Sequence, residues 1–554
     1  MKFFICTKDC IEACHLKIDD SLQFYTEKRF AKYPFVCGKL RNFLKKEIFS
    51  NEASFYSEHS KKFTTSFTEI TSRVSKKLQS LKDKKILYLR GSGSIGYMNY
   101  AWDILMSHLP NVYFIDGSIC LSTGEDAHLE DFGVVTNPPI SNLESVDNII
   151  LFGRDAWNVA PHLYSYLKSL KKKGKNIVYI DPIISNTQKI STDYIKIKPA
   201  TDAHLIVAIL QKLKLIKTEN SIEKLLNISG ISYNDFETSL KYISNNNTGI
   251  ITGFGLQRYS NGKNIVQWIN RLAYLTDNID NLYYDRGSKY GLPKRLINNP
   301  RINISEILTK LEDNFFDASV IVSSNPLVSY PSTKRLKDAF SKLNTFIVVD
   351  TNITETVKSA TEFIKVGGMF AQEDICGSYF YDDRMAIRRK IVNTHSDIDA
   401  VKEIAKNLNI DLRFELPELP EKQKYEPRNY KTKNLQLMKP LSSEGYRLIT
   451  KSHYSYINSQ DFGNFKENYI YISKNDAEKL DLKNFDKVLI KGNDCTAEAS
   501  VKISDECGEG YIFAYKCQNL LSGQPNLFTK FIPTDSHTGI ALYDTFVTLE
   551  KIIN

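Results

Sequence analysis

Ile86-Leu87-Tyr88-Leu89-Arg90-Gly91-Ser92-Gly93-Ser94-Ile95-Gly96 decides the class of fold. Four apolar or aromatic residues in a row suit a strand buried on both faces, and the glycines that follow break it in a tight turn before a helix. The G-x-G-x-x-G spacing lets a phosphate approach Gly91 and Gly93, with amides at the helix start, around Ser94, as donors. Asp116 closes the next strand about 20 residues on, where a dinucleotide-binding fold holds ribose. Alone, this stretch supports either a nicotinamide site or a glycine turn required only by packing.

The same alternation continues outward. Short apolar strands are expected at Val112 to Ile115, Asn148 to Phe152, Asn176 to Ile180, Gly249 to Thr252, Ser319 to Ser323 and Thr345 to Val349, with amphipathic helices between them. Most run into Gly, Asp or Asn, where parallel sheets place their binding loops. This is an α/β signature, preceded by a polar helical stretch from Thr65 to Lys82. The Pro- and Glu-rich run from Phe414 to Glu421 reads as an extended linker. Beyond it, Tyr446 to Thr450, Tyr469 to Ile472, Lys487 to Lys491, Ala497 to Ile503 and Tyr511 to Tyr515 are closely spaced strands with few helices, the pattern of a small β-barrel.

A chain of 554 residues holds several domains, because single cores rarely grow past about 250 to 300 residues. No run approaches the ~18 apolar residues of a membrane span. Met1 to Ile5 runs straight into Cys6 with no apolar leader and no twin arginine, so the expected location is the cytoplasm. The net charge of +9 comes from scattered lysines in a composition rich in Lys, Asn, Ile, Tyr and Phe, which argues against a nucleic-acid surface.

Nine cysteines in such a compartment point to metal or redox chemistry rather than disulfides. Cys6, Cys10, Cys14 and Cys37 crowd the first 37 residues, a set of four thiolates that suits an iron-sulfur cluster or a zinc ion. The spacing of four also matches one buried helix face. Cys120 lies in Gly117-Ser118-Ile119-Cys120-Leu121-Ser122-Thr123-Gly124-Glu125, directly after the strand that ends at Asp116. As a lone residue it reads first as a buried structural cysteine.

That last segment resembles the metal-ligand loop of the molybdopterin oxidoreductases, Gly-Ser-x-Cys-x-x-x-Gly-Glu. Further segments resemble the same family in the same order. Cys6 to Cys14 is similar to its Cys-Pro-Arg-Asp-Cys-x-x-x-Cys form. Phe35-Val36-Cys37-Gly38-Lys39 is similar to Cys-x-Lys-Gly, and Gly153 to His162 to Gly-x-Asn-Pro-x-x-x-x-Pro-His. Ile180-Asp181-Pro182 and Pro199-Ala200-Thr201-Asp202 resemble Ile-Asp-Pro-Arg and Pro-Gly-Thr-Asp. Gly253-Phe254-Gly255-Leu256-Gln257-Arg258 with Asn261-Gly262 resembles Gly-x-Gly-x-x-Arg with Asn-Gly. Ser324-Asn325-Pro326, Thr354-Glu355-Thr356, and Arg447 to Thr450 with Asn458-Ser459 complete the series. The departures are Asp155-Ala156 for Asn-Pro, Gly38-Lys39-Leu40 without a glycine after lysine, and Lys365 to Gly368 where a Leu-Pro loop is usual.

The resemblance implies a multidomain α/β fold: a small Fe-S domain over 1–55, two Rossmann-like α/β domains over 56–115 with 300–435 and over 116–299, and a six-stranded-type β-barrel over 436–554 that binds dinucleotide. It implies an oxidoreductase carrying molybdenum or tungsten on bis-molybdopterin guanine dinucleotide. Cys120 is then the metal ligand and catalytic residue, and Cys6, Cys10, Cys14 and Cys37 hold [4Fe-4S]. Lys39 lies between cluster and pterin. Gly91, Gly93, Ser94, Asp181, Thr201, Asp202, Gly255, Gln257, Asn325 and Asn458 contact the cofactor. The implied partners are a small-molecule substrate and an electron-transfer protein or Fe-S subunit, without nucleic acid or membrane insertion. Formate dehydrogenases of this family carry histidine directly after the ligand; here that residue is Leu121. Two other classes remain open: a cofactor-free electron-transfer or scaffold subunit of a respiratory complex that keeps the fold, and a nicotinamide dehydrogenase built on Gly91 to Asp116.

Overall fold

A computed structural model describes every residue except 11, 27–34, 49–51, 59–60, 245–246, 285–296, 379–383, 417, 419–424, 461–464 and 554. The chain forms two compact units, each built from separated stretches. One comprises Met1–Asp116, Gly287–Gln423 and Ser455–Asn464; the other comprises Gly117–Arg286, Lys424–Tyr454 and Phe465–Asn554.

The first unit is organised by an eight-stranded sheet. Its order is Arg301–Asn303, Val112–Asp116, Ile86–Arg90, Ala318–Val322, Thr345–Asp350, Glu362–Lys365, Phe55–Glu58 and Lys61–Thr64. The first six strands run parallel, and the last two add an antiparallel hairpin. Ile86–Arg90 is nearly all buried, as expected of an inner parallel strand. Helices Phe67–Ser80, Tyr100–Ser107 and Asp397–Asn407 cover this sheet through Val74, Leu78, Trp102, Leu105, Val401 and Ile404. Ser66 caps the first by accepting from the Glu69 amide, and Ser396 with Asp399 forms a capping box on the third. Buried Trp102 satisfies its indole N–H on Asp397 at 3.0 Å. Phe414 stacks on Tyr97 with ring centroids 5.3 Å apart, so the start of the expected linker is packed against this core; its residues 417 and 419–421 lie outside the described residues.

The second unit holds a five-stranded parallel sheet ordered Asp193–Lys196, Asn176–Asp181, Asn148–Phe152, Thr248–Thr252, Leu282–Tyr283. It also holds a closed barrel of Tyr446–Lys451, Tyr511–Tyr515, Tyr469–Ile472, Cys495–Ile503, Lys487–Gly492 and Phe546–Lys551. Closure leaves no free sheet edge, and Val488, Ile490, Ala499, Val501, Ile512 and Val547 fill the interior. Among the described residues no helix is long and apolar enough to cross a membrane.

Candidate functional site

In the first unit, Cys6, Cys10 and Cys14 lie on a loop and not on a helix face. The loop joins strands Lys2–Ile5 and His15–Ile18, and the Cys6 amide donates to the Cys14 carbonyl at 3.0 Å to close it. Cys37 immediately precedes helix Gly38–Ile48, where its thiol accepts from the amides of Lys39 and Leu40. The four thiols bear on one another electrostatically: Cys14 feels Cys6, Cys37 and Cys10. Burial pushes the Cys6 thiol up to about 11 and holds Cys10 and Cys14 well above the ordinary thiol range, with neighbouring Glu12 adding to the rise at both of the latter. Such thiols stay protonated unless a metal takes them as thiolates. None of the nine cysteines is in a disulfide. Lys39 places a positive charge on Cys10 and Cys37. The loop is fastened by a buried ion pair between Lys8 and Glu47 of the following helix.

The glycine turn follows Ile86–Arg90 as expected, but its glycines answer to the protein. A Cβ on Gly91 or Gly93 would lie 2.4 or 2.8 Å from the Ser323 carbonyl oxygen, and one on Gly96 would meet the Asp374 carboxylate. The amides of Gly91, Gly93 and Ile95 already donate to Val322, Ser323 and Thr7 carbonyls. Packing thus gives these glycines a reason of its own, one of the two readings their spacing left open. Ser94 shares a buried 2.9 Å hydrogen bond with Thr7, so the turn is joined to the cysteine loop. Asn325 accepts from the Thr356 hydroxyl at 2.8 Å, and Asn458 donates to Asp9 at 3.1 Å in the segment that clusters with this unit.

In the second unit, Cys120 sits in the turn before helix Ser122–Phe132. The Ser118 hydroxyl oxygen organises that turn by accepting from the amides of Cys120, Leu121 and Ser122 at 3.3, 3.0 and 3.2 Å. Gly117, at φ +89°, lies against the Thr538 carbonyl, where no side chain fits. From the other side, Gln257 accepts from the Gly124 amide at 2.8 Å, and the Tyr284 hydroxyl donates to the Leu121 carbonyl at 2.6 Å. Arg258 brings a guanidinium to the thiol: it hydrogen-bonds Cys120 and reaches the Tyr543 hydroxyl at 3.4 Å. Ser118, Arg258, Tyr284 and Tyr543 were not singled out from sequence. Arg258 and Ser118 stand inside matched motifs, whereas Tyr284 and Tyr543 reach the loop from distant segments and carried no signal.

Asp181 ends its strand, accepts from the Ile183 amide at 2.9 Å, and is pushed up to about 7 by burial. Thr201 turns its hydroxyl onto the Lys198 carbonyl at 2.6 Å. Asp202 opens helix Asp202–Lys212; it is 3% exposed, its Oδ1 has no hydrogen-bond partner, and burial pushes it up to about 7. A Cβ on Gly255 would find nothing nearer than 3.7 Å, so space remains there. An unsatisfied buried carboxylate beside a helix N-terminus suits a hydrogen-bond donor from a ligand. Asp155, which departs from the family's Asn-Pro, is a helix N-cap that also accepts from Ser185 and Thr187 at 2.6 and 2.9 Å.

The cost of this carboxylate is measurable. An ordinary aspartate near 3.8 raised to about 7 in the fold loses stability as pH rises through that window, by up to roughly 4 kcal/mol. D202N protein should therefore resist urea better than the parent at pH 8, with the difference vanishing below pH 4. Parallel pH profiles for parent and variant would show that the carboxylate carries no such burden.

The model of the Molybdopterin oxidoreductase family matches residues 64–361, more than half of the chain. The chain belongs to the molybdopterin oxidoreductase family. The Molydopterin dinucleotide binding domain model matches residues 445–547, which span most of the barrel. Among the family's curated members, the chain is 25% identical over 346 residues to the probable oxidoreductase YyaE of Bacillus subtilis (strain 168), covering 54% of this chain and 51% of that protein. It is 25% identical over 320 residues to the assimilatory nitrate reductase catalytic subunit of the same organism, covering 47% and 45%. To the F420-dependent formate dehydrogenase subunit alpha of Methanocaldococcus jannaschii it is 25% identical over 346 residues, covering 51% and 50%. The chain spans about half the length of the curated relatives it matches. Among solved structures, acetylene hydratase from Pelobacter acetylenicus shares the fold over 100% of both chains, with a TM-score of 0.78 and 11% identity.

Proposed function

We propose that this chain is an oxidoreductase holding molybdenum or tungsten on bis-molybdopterin guanine dinucleotide, with a [4Fe-4S] cluster relaying electrons to a partner. The observation that carries the reading is the Cys120 thiol, displayed on a turn held by Ser118 and paired with a buried guanidinium, in a chain of this family. When bound, the metal supplies two-electron chemistry and the cluster single-electron relay. Cys120 would give the metal its protein ligand, a soft thiolate matched to a soft centre. Asp181, Thr201 and Asp202 would receive the nucleotide ends, with Gly255 leaving room beside them. Gln257 acts one step back, by holding the Gly124 amide. Contacts from Gly91, Gly93, Ser94, Asn325 and Asn458 belong to the same reading. Cys6, Cys10, Cys14 and Cys37 would hold the cluster, with Lys39 supplying counter-charge on the electron path.

The domain reading goes with it: 1–55 for the cluster, 56–115 with 300–435 and 116–299 as Rossmann-like domains, and 436–554 for the dinucleotide. The formate dehydrogenase relatives are named as alpha subunits, which supports a partner subunit or electron-transfer protein here. A nicotinamide dehydrogenase loses support from the glycine turn, whose amides at 91, 93 and 95 already have protein acceptors. Anaerobic purification followed by metal analysis and pterin extraction tests the reading. One molybdenum or tungsten with guanine dinucleotide is expected, and protein free of both would favour a scaffold subunit.

Substrate choice gives a second test. Leu121 stands where formate dehydrogenases carry histidine, and a leucine moves no proton. Loaded enzyme should oxidise formate at well under ~1 per second; a rate in the usual range of about 1 to 1000 per second would overturn this point.

A further inference from the structure

Strands Asp374–Ser378 and Arg384–Arg388 pair antiparallel in the first unit, with Asp374 opposite Arg388. They reach the cysteine loop at two points. The Arg388 guanidinium donates to the Thr7 hydroxyl, and the Ser378 hydroxyl donates to the Glu12 carbonyl. Thr7 stands in the three-residue gap between Cys6 and Cys10, and Glu12 in the gap between Cys10 and Cys14. Each gap is thus pinned once from the same two strands. Between the pins, Ala13 packs with Cys376 and Ala386 in one small apolar cluster.

The pin at Thr7 carries charge. Arg388 and Asp374 are both fully buried, and they pair at 3.1 Å. Asp374 also accepts from the amides of Met98 and Ile375 at 2.9 and 2.8 Å, so backbone holds the anionic end of the pair. The guanidinium spends its other limb on Thr7, whose hydroxyl shares a 2.9 Å bond with Ser94. The cationic end therefore lies at the cysteine loop, where Arg388 and Cys6 act on each other electrostatically. Packing alone does not call for this pair, because apolar residues of similar volume often replace a buried ion pair without loss of stability.

We infer that Arg388 is a positioning residue for the iron-sulfur centre: through Thr7 it fixes the span from Cys6 to Cys10, and its charge raises the reduction potential there. The inference rests on the reading of Cys6, Cys10, Cys14 and Cys37 as cluster ligands, which the mutual influence of the four thiols supports. It adds a residue outside the four that sets the energy of the relayed electron. The step is one-electron reduction, with no bond made or broken and no proton taken up. A fixed cation in a dry interior favours the more negative, reduced form.

The test is a redox titration of the full chain, purified anaerobically, with dithionite as reductant and the paramagnetic signal of the reduced cluster as readout. Iron and zinc are measured on the same samples. R388Q should keep its iron and be roughly tenfold harder to reduce, a midpoint lower by about 59 mV for one electron. R388K, which keeps the charge, should restore most of that difference. R388Q leaves Asp374 buried without its cation, so R388Q/D374N is the companion that removes both charges and retains a pair of amides. It too should be harder to reduce than the parent. An unmoved midpoint in iron-loaded R388Q or R388Q/D374N would overturn the inference alone, as would R388K behaving like R388Q. Folded variants that all lose their iron would reduce Arg388 to a structural pin. A parent holding zinc and no iron would instead overturn the cluster reading, and the inference with it.

Discussion

Replacing Cys120 with alanine is expected to abolish turnover while the protein still folds and keeps its iron and pterin. The turn that displays the thiol does not depend on it: Ser118 accepts from three successive amides there, Gln257 holds the Gly124 amide, and Tyr284 holds the Leu121 carbonyl. Removing sulfur therefore takes away a ligand without taking away the loop. X-ray absorption at the metal edge should show one sulfur fewer, and Arg258 should lose one of its hydrogen-bond acceptors and keep Tyr543. C120S separates the two effects, because a hydroxyl keeps an acceptor for Arg258 but is a harder donor to the metal. An unchanged absorption edge with activity retained in C120A would make Cys120 an ordinary structural cysteine.

The stretch from Ile86 to Gly96 foretold the strand, the turn and the helical segment after it, because a buried parallel strand is written as a continuous apolar run. The strand's neighbours were not legible. Ile86–Arg90 pairs with Ala318–Val322 more than 200 residues away, and nothing local in either segment encodes that pairing. The hairpin Phe55–Glu58 with Lys61–Thr64 went unseen because its second strand is exposed and carries two lysines. Five barrel strands were expected, and the sixth, Phe546–Lys551, escaped because its outward positions are charged or polar. The spacing of Cys6, Cys10 and Cys14 admitted a helix, but their burial is achieved in a loop between two strands.

The candidate site divides in the same way. Cys120, Asp181 and Asp202 all stand at or just beyond strand ends, where a local motif suffices to find them. Gly91 and Gly93 were found by their motif, and in the fold backbone at Ser323 leaves neither of them room for a side chain. Arg258 was quoted within a motif yet passed over, because its approach to Cys120 is made only in the folded chain. Asp155 shows the converse: it departs from the family pattern and is fully explained by the helix it caps.

Removing any one thiol of the N-terminal set should cost the whole iron centre. Protein prepared anaerobically is expected to contain about four irons per chain and to show a reducible cluster signal. C14A should retain close to none, because three thiols cannot complete the set of four, and the environment of Cys6, Cys10 and Cys37 opposes free thiolates. Folding of the rest of the chain should survive, since the large sheet and its helices are built from other residues. C376A supplies the control: that cysteine is buried on strand Asp374–Ser378 of the same unit but is no member of the four, so it should leave iron content untouched. A zinc ion in tetrahedral sulfur coordination, with no iron after anaerobic preparation, would replace the cluster by a structural site. The electron path through Lys39 would then fall, while the assignment of Cys120, tested at a different edge, would stand or fail on its own.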